Sequence, residues 1–75
     1  MSRRSVFLRD SLTVLNDLRQ RIDEGERLHP AQAHAVRPRL AVLRTTLREL
    51  DELRRQVTQM TDDAFDQRFP IELLQ

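Results

Sequence analysis

The chain has 75 residues, and Leu, Ile, Val, Phe and Met make up 24 of them. All 13 basic side chains are Arg; with 12 acids the net charge is +1. This is one small domain at most, with too little charge imbalance for strong non-specific attraction to a polyanion and too much Leu, Ile, Val and Phe for a disordered tail. Ordering 75 residues costs on the order of 100 kcal/mol, at about 1.5 kcal/mol each, so a small core needs very regular packing or a partner. Without cysteine there is no disulfide and no thiolate metal site. The apolar runs are too short for a membrane span. The N-terminal Met-Ser-Arg-Arg-Ser-Val-Phe lacks the apolar core of a signal peptide, so a cytoplasmic location is expected.

The predicted elements are all helical, and the chain reads as a single domain over residues 1–75. Leu8, Leu12, Leu15 and Ile22 mark a first helix over 5–24, with Gly25 ending it. Pro30 suits the first turn of a short helix, 30–36, and Pro38 starts or kinks a long one, 38–60. In the long helix Val36, Leu40, Leu43, Leu47, Leu50 and Val57 recur at heptad spacing. Thr61 before Asp62 and Asp63 reads as an N-cap with acids in the first turn, giving a short helix 62–68 and a tail 69–75. Residues 8–22 and 43–57 echo one another at an offset of 35, five heptads, which a shared heptad register explains without duplication.

These periods predict an antiparallel helical hairpin, coiled-coil-like, with a short helix in the connection and another at the C-terminus. The best register pairs Ile22 with Leu40, Leu15 with Leu47, Leu12 with Leu50 and Leu8 with Arg54, residue numbers summing to 62. It places Arg9 near Asp51 and Asp23 near Arg37 along one flank. Arg19 and Arg54 then interrupt the seam, each expected to send its head to the edge. The other flank is apolar: Phe7, Val14, Leu18, Val42, Leu53 and Met60. A second apolar face is read as a binding surface, although fold-back of Phe65 and Phe69 is expected to cover its open end.

Catalysis has little support. His29 and His34 stand five apart, a poor helical metal pair, and no Gly-rich phosphate loop or Ser with a placed base exists. No cofactor, metal or catalytic residue is expected. Leu18-Arg19-Gln20-Arg21-Ile22-Asp23 resembles the first-helix motif of the small all-helical chorismate mutases. That family uses an active-site Lys, and this chain has none, so no activity is carried over. The expected function is a small bacterial or phage regulator or inhibitor, without enzymatic activity. It would bind a protein partner, or itself as a homodimer, through the apolar face. The alternative is a dimeric nucleic-acid-binding regulator using Arg37, Arg44 and Arg48, from an acid-free stretch over 37–48. Such a dimer is similar in architecture to the Rop-like plasmid RNA-binding proteins. No membrane association is expected.

Overall fold

Ser2 opens the first helix. Its extended backbone and its Oγ, which accepts from the Ser5 N–H at 3.0 Å, satisfy one of the free donors at the helix start. The computed structural model describes residues 1–28 and 30–71. Among them lie three helices, α1 (Arg3–Glu26), α2 (Pro30–Thr58) and α3 (Asp62–Arg68), and no strand. The expected all-α architecture is present: α1 and α2 pack as a long antiparallel pair, and α3 folds back onto α1. Thr61 caps α3, accepting from the Ala64 N–H at 3.0 Å, and α3 spans the residues read from the sequence.

Two boundaries differ from the reading. The helices expected at 30–36 and 38–60 are one helix, running through Pro38 and ending at Thr58. Pro38 lacks the N–H that would reach the carbonyl four residues back, at His34. Packing of the downstream half onto α1 offsets that loss. Helix one begins at Arg3 rather than Ser5 and continues through Gly25 to Glu26. Gly25 is not a left-handed C-cap, since no described residue has positive φ. Its role is clearance: a Cβ there would lie 2.5 Å from Leu40 Cδ2 and 3.3 Å from Leu40 Cγ.

That clearance carries a prediction. Gly25→Ala gains about 1 kcal/mol of helix propensity but overpacks a buried Leu, at about 1–3 kcal/mol. In otherwise native protein the substitution is expected to lower stability in chemical denaturation. In a Leu40→Ala background it should raise it. The same sign in both backgrounds would show that Gly25 does not seat Leu40.

The antiparallel orientation is visible in cross-helix bonds. Arg54 Nη1 donates to the Leu8 carbonyl at 2.5 Å and to Ser11 Oγ at 2.6 Å, and Arg4 Nε donates to the Val57 carbonyl at 3.1 Å. At the open end the pairing therefore follows the expected register. Along α1 the seam is rotated by one position. Its buried residues are Ser11, Leu15, Leu18 and Ile22, whereas Leu12 is 44% exposed and Arg19 is exposed. Leu12 is thus not the central layer expected. Rotation keeps the Arg19 guanidinium in water and replaces it with Leu18, and it presents the small residues Ser11 and Gly25 to α2. A buried unpaired Arg would be far more costly than an exposed Leu. Arg54 also departs from expectation: its head turns inward, where Ser11 and the Leu8 carbonyl accept its protons.

The expected charged edge changes with the rotation. Arg9 pairs with its neighbour Asp10, while Asp51 with Arg55 in α2 and Asp23 with the α1 C-cap Arg27 are pairs four apart; Arg44 instead meets Glu26 at 2.6 Å. Pairs four apart on a helix are already neighbours and need no tertiary alignment.

Candidate interaction surface

The expected binding face divides into three parts. Leu18 is 9% exposed and belongs to the α1–α2 core. Phe7, Leu53 and Met60 are half-buried near α3. Val14 and Val42 remain 51% and 64% exposed.

α3 supplies the cover at the open end. Phe65 is buried, with its ring centroid 5.7 Å from that of Phe7 and 5.0 Å from that of Phe69. Together Phe7, Leu53, Phe65 and Phe69 line an apolar pocket of about 220 Å³. Two N-terminal arginines fasten α3 over it. Arg3 bonds Asp66 Oδ1 at 3.2 Å and the Phe69 carbonyl, and its guanidinium lies 5.6 Å from the Phe65 ring centroid. Arg4 bonds the carbonyls of Val57 and Thr58, at 3.1 and 2.9 Å, where α2 ends. Carbonyls at a helix C-terminus lack intrahelical donors, and a cation there is favoured. Sequence reasoning missed both arginines. The available signal was a basic N-terminus and an acidic 62–66 segment that an antiparallel hairpin brings to the same end.

A turn of 100° per residue relates the exposed residues to this pocket. Val14 follows Phe7 by seven residues and lies on the same stripe of α1. Val42 and Leu53, eleven residues apart, share one stripe of α2, and Met60 lies just beyond its end. Since Phe7 and Leu53 line one pocket, both stripes border the same face of the hairpin. Val14 and Val42 are its uncovered continuation toward the turn.

The alternative arginine set is only partly available. Arg37 and Arg48 are exposed and make no ion pair among the described residues, but Arg44 is joined to Glu26. Arg48 shares an open depression of about 450 Å³ on α2 with Glu49, Asp51 and Glu52. Carboxylates there oppose a phosphate. His34 is exposed, and His29 lies outside the described residues, as do residues 72–75 of the expected tail. Among the described residues no three His, Asp or Glu side chains cluster as metal ligands. No helix there is long and apolar enough to cross a membrane. Comparison with protein-family models, with curated proteins and with solved structures finds no match.

Proposed function

We propose that this chain is a protein-interaction module that acts by occupancy rather than catalysis, as a small regulator or inhibitor does, through the face marked by Val14 and Val42. The observation that carries this reading is the exposure of those two side chains on a face whose other end the chain itself covers with aromatic residues. Exposed apolar groups cost roughly 25 cal/mol per Å² relative to burial. Where this surface meets only solvent, it carries locally paired charges such as Asp23–Arg27 and Asp51–Arg55. Nucleic-acid binding is the weaker reading, because Glu26 neutralises Arg44 and Glu49, Asp51 and Glu52 flank Arg48.

The test is site-specific photocrosslinking in the native host, with the photoreactive residue at position 42 or, on the outer face of α2, at position 48. The expected result is a protease-sensitive adduct at 42 and none at 48. Nuclease-sensitive adducts at 48 or 37, with none at 42, would replace this reading with the nucleic-acid one.

A further inference from the structure

We infer that α3 is a tethered stand-in for the partner: the face takes an amphipathic helix with two aromatic residues one turn apart and acids beside them, and α3 yields its seat when that helix binds. The inference rests on the reading of this face as a binding surface and names the kind of partner and how the surface is covered in its absence.

The seat records what fits it. Asp62, Phe65, Asp66 and Phe69 stand at i, i+3, i+4 and i+7, a single stripe down α3 and its C-cap. Spacing of this kind is how a groove reads a helix. Phe65 reaches Phe7, and both C-terminal rings border the pocket that Leu53 lines from α2. The acids Asp62 and Asp66 reach Arg4 and Arg3, at 3.9 and 3.2 Å. On the other side of α3, Asp63, Ala64, Gln67 and Arg68 are exposed. The seat therefore selects by aromatic spacing and by charge together, and its two cations call for acids.

Size places the partner in this seat rather than on the uncovered stretch alone. Val14 and Val42 are two valines, 51% and 64% exposed, far short of the ~800 Å² that each side of a standard interface buries. The larger apolar groups of the same face, Phe7 and Leu53, are those that α3 takes up. The seven residues of α3 span about 10 Å at 1.5 Å per residue, whereas the chain is 50 Å long. A longer helix that starts in the seat and continues over Val14 and Val42 buries more than α3 does. Glu49 is exposed on the Val42 stripe, so the partner's acids belong at the Arg3–Arg4 end and not further along.

The hold on α3 permits exchange. It buries one side chain, Phe65, and leaves the pocket beside it unfilled. Asp62 and Asp66 are more than half exposed, and ion pairs at such sites contribute little. Only residues 59–61 separate α3 from α2, and this short tether keeps it at a high effective concentration. The tether adds no contact, so a helix that makes more contacts displaces α3.

The probe is a fluorescein-labelled synthetic helix of about five turns that carries Asp-x-x-Phe-Asp-x-x-Phe at one end. A second probe has Lys in place of both Asp. Fluorescence anisotropy measures the affinity of the full chain, of Asp66→Arg, and of the double variant Arg3→Glu with Arg4→Glu. Circular dichroism checks folding, and amide exchange follows residues 62–68. The native chain is expected to bind the acidic probe, with faster exchange over 62–68. Asp66→Arg sets a cation against Arg3 and loosens α3 without altering the seat. It should bind the acidic probe about tenfold more tightly, because apparent affinity scales with the fraction of open seats. The double variant also loosens α3, yet it should lose the acidic probe and gain the Lys probe. No binding of the acidic probe to the native chain or to Asp66→Arg overturns the proposal. A protein adduct at position 42 would then still uphold the binding reading above. Binding that leaves exchange over 62–68 unchanged, or equal affinity for the two probes, also overturns it. A native chain of doubled mass in sedimentation equilibrium, halved by Asp66→Arg, would give the seat to the α3 of a second copy and overturn it as well. If the double variant loses helicity, the two probes on Asp66→Arg decide between the same outcomes.

Discussion

Replacing Phe65 by alanine is expected to lower stability by about 3–5 kcal/mol, the usual cost of removing a buried aromatic ring. Phe65 is 5% exposed and is the one buried residue of α3. Its ring meets Phe7 on one side and Phe69 on the other, so truncation enlarges the existing 220 Å³ pocket and leaves α3 without an anchor. A helix of seven residues has no independent stability. The Arg3–Asp66 bridge is partly exposed and worth at most about 1 kcal/mol, so it does not hold α3 alone. The melting temperature should fall by more than ~10 °C, given about 4–8 °C per kcal/mol for a domain of this size. Amide exchange over 62–68 should become fast. Phe69→Ala should cost clearly less, since Phe69 is only half-buried. A loss below about 1 kcal/mol for Phe65→Ala would place α3 outside the cooperative unit.

Pro38→Ala is expected to act in the opposite direction. Proline in a helix interior costs about 3 kcal/mol relative to alanine, and Pro38 is the ninth residue of α2, with its side chain exposed. The substitution returns an N–H to the His34 carbonyl and removes no core contact. Proline also restricts the unfolded chain, which returns about 0.4–1 kcal/mol, so the net gain is about 2 kcal/mol. Thermal unfolding followed by circular dichroism should show a higher midpoint and no loss of helicity. A lower midpoint would mean that the backbone direction at Pro38 is needed to bring Leu40 onto Gly25.

Local signals were sufficient for much of the fold. On α2, Val36 to Val57 repeat on one stripe only, and that stripe is the one that faces α1. Thr61, Asp62 and Asp63 announce α3 because capping and dipole terms act within a single turn. The pairing of Phe7 with the C-terminal aromatics follows from antiparallel connectivity alone. Val14 and Val42 could be assigned to an apolar flank from spacing, but their exposure could not, since it depends on how far α3 reaches.

What the sequence by itself determined is therefore an all-helical hairpin, the inward stripe of α2, the capped α3 and the open-end pairing of Leu8 with Arg54. What only the tertiary structure decided is the rotation of α1, the passage of α2 through Pro38, and the use of Arg3 and Arg4 to hold α3. The physical reason is degeneracy in α1. Leu12 and Leu18 lie on opposite sides of Leu8, Leu15 and Ile22, so periodicity supports either as the second edge of the seam. The choice between them falls to α2: Leu40 needs the space at Gly25, Arg54 needs the oxygen of Ser11, and Arg19 needs water. All three are met only when Leu18 turns inward and Leu12 turns out.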